Sequence, residues 1–159
     1  MKKTWFITGA SRGFGRIWAE AALQRGDRVT ATARRLEDIV DLKERFGDAV
    51  LPMALDVTNS EQVSQVVQKA FRHFDRLDVL VNNAGTSLFA ATEEASDEQI
   101  RDLFDANYLG MVRVLRFGLA SAAETREWTH PRGFKRSRDY GAAAHRLLLC
   151  HEMGGGSTA

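Results

Sequence analysis

A glycine-rich segment near the start of the chain limits the possible folds more than any other feature. The sequence TGASRGFG occupies residues 8–15, after a β-rich run at residues 4–8 and before a helical pattern at residues 14–25. Alone, such a segment also fits a tight turn or a small-residue helix cap. Between a strand and a helix, glycines let the backbone approach a pyrophosphate, and the helix N-terminus offers free N–H groups. The segment therefore predicts a dinucleotide-binding unit.

The alternation of strand and helix continues to about residue 116. Further strands are predicted at residues 28–33, 49–55 and 79–81, and further helices at residues 37–46, 58–74 and 96–111. The third helix is predicted to begin with a capping box of Thr58 and Glu61, and the fourth with one of Ser96 and Gln99. This alternation indicates an α/β fold, a Rossmann-type doubly wound parallel sheet with helices on both faces.

The composition changes after residue 116. Residues 1–116 contain fifteen valines and isoleucines, whereas residues 117–159 contain none and hold three of the four histidines and the one cysteine. We therefore divide the chain into a dinucleotide-binding Rossmann domain at residues 1–116 and a tail at residues 117–159. The tail is predicted to extend the last helix briefly and then to be poorly ordered. The sheet is predicted to be truncated after the fourth strand and fifth helix, which leaves an exposed edge that favours aggregation.

Charge and composition argue against several classes of function. The formal net charge is +1, which gives no support to a nucleic-acid or anionic-membrane partner. The apolar run at residues 5–7 is too short for a membrane span or a signal peptide. The single cysteine excludes an internal disulfide and fits a reducing cytoplasm. No metal site is predicted.

The end of the second predicted strand indicates which dinucleotide binds. An NAD site usually places an acidic residue about 20 residues beyond the glycine loop, where it accepts a hydrogen bond from the ribose 2′-OH. This chain has Arg34 and Arg35 there, and Arg12 lies within the glycine-rich segment. Guanidinium groups match a 2′-phosphate, although a solvated helix entry is the alternative. The missing carboxylate predicts NADP(H) rather than NAD(H).

Polar residues follow the third and fourth predicted strands and occur in the last helix. Asp56 fits either a contact with the adenine amino group or a loop or helix-cap role. The sequence NNAG at residues 82–85 suits a crevice at the carboxyl end of a strand, or a plain turn. Asn107 lies in an apolar helical stripe, where a buried amide needs partners. It is predicted either to bond a neighbouring strand or to hold a water in a proton relay.

As a set, these motifs resemble the short-chain dehydrogenase/reductase family in order and spacing over about the first 116 residues. The resemblance implies an NAD(P)-dependent oxidoreductase that transfers hydride between NADP(H) and an alcohol or carbonyl. It implies contacts with the cofactor phosphates and ribose from Gly9, Ser11, Arg12, Gly13, Phe14 and Gly15. The 2′-phosphate is assigned to Arg34, with Arg35 beside it, and the adenine to Asp56 and Val57. The nicotinamide-side ribose is assigned to Asn83, Ala84 and Gly85, and Asn107 matches the active-site asparagine.

The family's proton-transfer residues do not occur where the resemblance places them. The family uses a serine and a YxxxK pair, in which lysine lowers the tyrosine pKa from about 10. Tyr140 is followed by Gly-Ala-Ala-Ala, and no lysine follows Lys135. The chain is therefore interpreted as catalytically incomplete as written. The alternatives are a non-catalytic dinucleotide-binding remnant and an NADPH-binding interaction module that uses the basic residues Arg132, Lys135, Arg136 and Arg138. Substrate and oligomeric state stay open.

A shift of reading frame near Arg116 is a hypothesis that explains the tail. Read one base later, residues 124–135 permit Lys-Arg-Glu-Ser-Gly-His-Ile-Leu-Glu-Val-Ser-Ser, which resembles the family's fifth strand and serine. Residues 148–152 permit Tyr-Ser-Ala-Thr-Lys, a YxxxK sequence. Codon degeneracy permits other peptides as well. Sequencing the gene tests the hypothesis, because in-frame codons incompatible with these peptides exclude it.

Overall fold

The computed structural model describes residues 2–124 of the chain. The strands are β1 (Thr4–Ile7), β2 (Arg28–Ala33), β3 (Val50–Ala54) and β4 (Val79–Val81). The helices are α1 (Gly13–Gln24), α2 (Asp41–Phe46), α3 (Ser60–Phe74), α4 (Asp97–Phe104) and α5 (Gly110–Glu124). A π-helical segment, Asp105–Leu109, joins α4 to α5, and 3-10 turns occupy Leu36–Asp38 and Gly47–Ala49.

The four strands form one parallel sheet in the order β3-β2-β1-β4. Trp5 of β1 pairs with Val29 of β2 on one side and with Val79 of β4 on the other. The chain runs outward from β1 to β2 and β3, and β4 then pairs with the free edge of β1. The topological switch point therefore lies between β1 and β4, where ligands bind at the carboxyl ends of the strands. This topology confirms the predicted Rossmann-type sheet.

Helices cover both faces of the sheet. Neighbouring residues of β1 face opposite sides, as the strand period requires. Ile7 packs in a buried cluster with residues of α1 and α2, whereas Phe6 packs in a second cluster with residues of α3 and α5. Because both faces of the sheet are covered, the strand side chains on both sides are shielded from water, and even the polar residues Thr30 and Thr32 are buried.

Two helix boundaries differ from the sequence prediction. The helix predicted at residues 37–46 is split into the 3-10 turn Leu36–Asp38 and α2, with Ile39 in a non-helical conformation between them. Ile39 and Leu42 are both fully buried, so the break serves core packing rather than helix propensity. The capping box of Thr58 and Glu61 is also wrong. Asn59 caps α3 by accepting a hydrogen bond from the Gln62 backbone N–H at 2.9 Å, and the Thr58 hydroxyl donates to Asp56 instead.

The last helical stretch is longer than one regular helix. The capping box of Ser96 and Gln99 is confirmed at its start, and α5 continues across residue 116 without a break as far as Glu124. Within residues 2–124, no helix combines the length and apolar content needed to cross a membrane. Predictions about Tyr140, the basic cluster and the reading frame concern residues outside the described part of the chain.

Candidate functional site

The glycine loop brings the start of α1 to the carboxyl end of β1. Gly9 has a φ of 70° and Gly13 a φ of 59°, a backbone conformation that favours glycine. Arg12 takes the N-cap position of α1, where no side chain caps the helix, and the first turn of α1 contains no acidic residue. The helix therefore begins with backbone N–H groups that have no side-chain acceptor and with a partial positive charge.

The three glycines of the loop have different surroundings. A Cβ atom at Gly9 would lie 2.9 Å from the Ala84 Cα, and one at Gly15 would collide with the Gly9 carbonyl oxygen and the Asn83 amide. A Cβ at Gly13 would meet nothing within 4 Å. Gly9 and Gly15 are thus required by packing against the loop after β4. Gly13 faces open space, where a ligand can approach the backbone.

Asn83 fastens the loop after β4 to the glycine loop. Its Nδ2 donates to the carbonyl oxygens of Thr8 and Gly9, at 3.1 and 2.9 Å. These two hydrogen bonds hold the glycine loop against the loop after β4. The sequence predicts a contact of Asn83 with ribose, whereas in the structure its amide nitrogen donates to the backbone of the glycine loop.

Thr8 is a site residue that the sequence analysis did not identify. Its Oγ1 accepts hydrogen bonds from the backbone N–H groups of Asn83 and Ala84, at 2.9 and 3.0 Å, and donates to the Val81 carbonyl at 3.3 Å. The side chain is buried. Thr8 therefore joins β1 and β4 at the switch point, and the only sequence signal is a hydroxyl residue at the end of β1.

The arginines near the carboxyl end of β2 are not equivalent. Arg35 donates two hydrogen bonds to Asp38, at 3.1 and 2.6 Å, and the bond to this carboxylate raises the pKa of Arg35. Arg34 is exposed and has no hydrogen bond or ion pair with any residue between 2 and 124. Arg12 is likewise exposed and unpaired within that range. Arg34 and Arg12 are thus the cations available to an anionic ligand.

Asp56 and Val57 form a turn after β3. Asp56 Oδ1 accepts hydrogen bonds from the Thr58 backbone N–H and hydroxyl, at 2.9 and 2.7 Å, while Asp56 Oδ2 keeps no hydrogen-bond partner among the described residues. The helix-cap alternative for Asp56 is wrong, because Asn59 caps α3. Val57 is buried in the core cluster with α3 and α5, so its backbone is the part that can meet a ligand.

A cleft of about 370 Å³ lies beside the loop after β4, lined by Asn82, Asn83, Ala84, Gly85, Thr86, Ser87, Asn107 and Met111. Asn107 Oδ1 accepts from the Thr86 backbone N–H at 2.8 Å, and Asn107 Nδ2 donates to the Thr86 carbonyl oxygen at 2.8 Å. Asn107 therefore bonds the loop after β4, which favours the structural interpretation. It is exposed rather than buried, because this face of the helix is not covered within residues 2–124.

The π-helical segment sets the position of Asn107. The Gly110 backbone N–H donates to the Asp105 carbonyl, five residues earlier, instead of the usual four. Gly110 lies against the turn after β3, since a Cβ atom there would be 2.7 Å from Val57 Cγ2. The wide turn thus places Asn107 at the cleft while the next residues pack beside Val57.

The sequence resembles those of curated oxidoreductases over about three quarters of its length. It is 47% identical over 115 residues to Oxidoreductase BOA17 of Botryotinia fuckeliana, a match that covers 72% of this chain and 42% of that protein. It is 34% identical over 119 residues to the NADP-dependent 3-hydroxy acid dehydrogenase YdfG of Escherichia coli, covering 74% of this chain and 48% of that protein. The chain therefore spans less than half the length of these curated relatives.

Solved structures of dehydrogenases are also similar to this chain. A short-chain dehydrogenase from Streptomyces avermitilis superposes with a TM-score of 0.74 and 42% identity, covering 78% of this chain and 46% of that chain. An alcohol dehydrogenase from the archaeon Thermococcus sibiricus, complexed with 5-hydroxy-NADP, gives 0.72 and 33%, covering 79% and 55%. A family model described as short chain dehydrogenase matches residues 3–127. Because this match spans most of the sequence, the chain belongs to the short-chain dehydrogenase family.

Proposed function

We propose that residues 2–124 bind NADP(H) across the carboxyl ends of β1, β2, β3 and β4. The observation that carries the proposal is the start of α1, where uncapped N–H groups, an unpaired Arg12 and the open face of Gly13 occur together. A pyrophosphate supplies the acceptors that these donors lack and the negative charge that the helix dipole favours. The residues present therefore fit the cofactor.

The remaining parts of the cofactor are assigned by chemistry. The unpaired Arg34 suits the 2′-phosphate, and Arg35 contributes less because Asp38 already holds its guanidinium. Asp56 Oδ2 is a free acceptor for the adenine amino group. Ser11, Phe14 and the segment Asn83-Ala84-Gly85 are assigned to the phosphates, the ribose groups and the nicotinamide side.

The reaction proposed for the lineage is hydride transfer between NADP(H) and an alcohol or carbonyl. Two findings support it: family membership, and two similar proteins whose descriptions name NADP dependence or an NADP derivative. Bound cofactor supplies the hydride. Asn107 contributes by holding the Thr86 peptide at the edge of the cleft.

For the chain as written, we propose cofactor binding without turnover. The sequence contains no YxxxK pair, and Tyr140 has no lysine four residues later. A panel of aldehydes and ketones, assayed by NADPH oxidation, tests this point. Robust turnover that is abolished by Tyr140→Phe contradicts it. A cytoplasmic location stays a proposal, supported by the single cysteine.

The cofactor assignment is tested by titrating the protein with NADPH and NADH and following fluorescence. Arg34→Ala is expected to weaken NADPH binding about tenfold, because a charge-assisted contact to the 2′-phosphate is lost. NADH binding should change less than about twofold, since NADH has no such phosphate. Arg35→Ala is the matched control, with a smaller loss of NADPH affinity. Absence of NADPH binding by the unaltered chain refutes the proposed function.

A further inference from the structure

Arg113 on α5 lies between two segments of the candidate site. Its Nη1 donates to the carbonyl oxygens of Val57 and Asp105, each at 3.4 Å. Its Nη2 donates to Asp105 Oδ1 at 2.7 Å, and the side chain is 24% exposed. A single, largely buried guanidinium group thus joins the turn after β3 to the first residue of the π-helical segment.

Gly110 contacts the same turn from one helical turn earlier. A Cβ atom at Gly110 would lie 3.3 Å from the Val57 carbonyl oxygen as well as 2.7 Å from its Cγ2. Residues three apart share a helix face, so Gly110 and Arg113 face Val57 together. Helix α5 therefore holds this turn both by close backbone approach and by a charged hydrogen bond.

The contact with Asp105 connects Arg113 to the cleft beside the loop after β4. The Asp105 carbonyl already accepts from the Gly110 N–H in the π-helical turn, and its second lone pair is available to Arg113. Asp105 begins the segment that carries Asn107, which in turn holds Thr86. A continuous set of hydrogen bonds and chain contacts therefore runs from the turn after β3 to the loop after β4.

We propose that Arg113 is a positioning residue that fixes the turn at residues 56–58 relative to the π-helical segment Asp105–Leu109. The adenine side and the nicotinamide side of the dinucleotide site then keep a constant separation. The role rests on the proposed NADP(H) function, and Arg113 acts through the Val57 carbonyl. Arginine suits it because a planar guanidinium reaches three acceptors at once, whereas lysine offers a single nitrogen.

Hydrogen exchange of the full chain without ligand tests the coupling directly. In the turn, the Thr58 and Asn59 N–H groups donate to Asp56, at 2.9 and 3.1 Å. Arg113→Met is expected to speed their exchange about tenfold, together with exchange in the π-helical segment, because both segments lose the same anchor. Arg101→Met is the matched control, since Arg101 lies on α4 with an exposed partner at 3.4 Å. It should leave both segments unchanged.

Binding of 2′,5′-ADP, which carries the adenine and the 2′-phosphate, measures the consequence for the site. Arg113→Met is expected to weaken 2′,5′-ADP about tenfold, and Arg113→Lys should recover part of the loss. As a single substitution, Asp105→Ala should weaken the binding of 2′,5′-ADP. In a chain that already carries Arg113→Met, the same substitution should change the affinity less than about twofold, because the effects of coupled residues are not additive.

The outcomes separate this inference from the proposed function. If 2′,5′-ADP binds the unaltered chain and Arg113→Met changes neither exchange nor affinity, the inference is overturned while the cofactor site stands. If Arg113→Met speeds exchange in both segments but the unaltered chain does not bind 2′,5′-ADP, the coupling stands and the NADP(H) proposal fails. Should Arg113→Met not fold, Arg113→Lys and Asp105→Ala carry the same comparison.

Discussion

Helix α1 begins differently from α3 and α4, although each of the three helices follows a loop. Asn59 caps α3 and Ser96 caps α4, and each accepts a hydrogen bond from a backbone N–H of the first turn. Both helices also carry acidic residues in that turn. Helix α1 has no side-chain cap and no acid, and arginines stand at its N-cap and in its first turn. Cations at a helix N-terminus oppose the helix dipole.

This difference shows that the start of α1 lacks the side-chain caps that stabilise α3 and α4. A capped helix start has its own acceptors, whereas the start of α1 requires an acceptor from outside the helix. Local choices that disagree with helix preference are expected at functional sites. The comparison therefore supports the proposal that α1, rather than α3 or α4, receives the anion, and it is open to direct tests.

The largest expected effect comes from Gly15→Ala, which breaks the packing that holds the start of α1. The new Cβ would meet the Gly9 carbonyl and the Asn83 amide, neither of which can retreat without moving the loop. We expect the free energy of unfolding to fall by about 3 kcal/mol, a cost typical of severe overpacking. Urea denaturation at neutral pH measures it.

Gly118→Ala is the matched control for Gly15→Ala, because both glycines lie within helices. At Gly118 the nearest atom to a Cβ would be a terminal methyl of Leu80, at 3.2 Å, which can shift. The unfolding free energy should change by less than about 1 kcal/mol there. Equal losses at the two glycines would mean that the Gly9–Gly15–Asn83 contact has no special weight.

Arg12→Asp is the second prediction, and it makes α1 resemble α3. Arg12 already has the extended backbone of an N-cap residue, so an aspartate there can accept from the first turn. We expect stability to rise by about 1 kcal/mol while NADPH affinity falls at least about tenfold, because the carboxylate takes the phosphate's place. Thermal melting and NADPH titration measure the two effects.

Asn59→Ala is the control for Arg12→Asp, because it removes the side-chain cap of α3 instead of adding one to α1. Removing the cap of α3 should cost about 1 kcal/mol of stability and leave NADPH affinity unchanged, since no ligand is assigned to α3. An Arg12→Asp chain that binds NADPH as well as the unaltered chain excludes the α1 start as the phosphate site.

The sequence is sufficient to predict the motifs of this site but not the contacts that each residue makes. Local spacing is sufficient to predict the glycine loop, the NNAG segment and the cap at Ser96, because each depends on residues close in sequence. The bonds of Thr8 and the distinction between Gly13 and Gly15 depend on contact with Asn83, about 70 residues away. The sequence predicts the cap of α3 at Thr58, one residue too early, because the Thr58 hydroxyl donates to Asp56 and Asn59 caps the helix.

The smallest expected effect concerns Arg16, an arginine of α1 that is already paired. Arg16 bonds Asp41 and Glu20, and these bonds hold the pKa of both carboxyl groups below their usual range. Because the folded pKa values are lowered, the contribution to stability is present above about pH 4.5 and is lost as pH falls through the folded values.

We expect Arg16→Met to cost about 1 kcal/mol or less at pH 7, since Asp41 is partly exposed and solvent screens the pair. Denaturation of both proteins at about pH 7 and pH 2.5 measures the difference, which should be smaller in acid. A difference that is equal at both pH values would assign the effect to packing of the arginine stem. NADPH affinity should stay within about twofold, because the charge of Arg16 is already balanced by its carboxylates, whereas that of Arg12 is free for the cofactor.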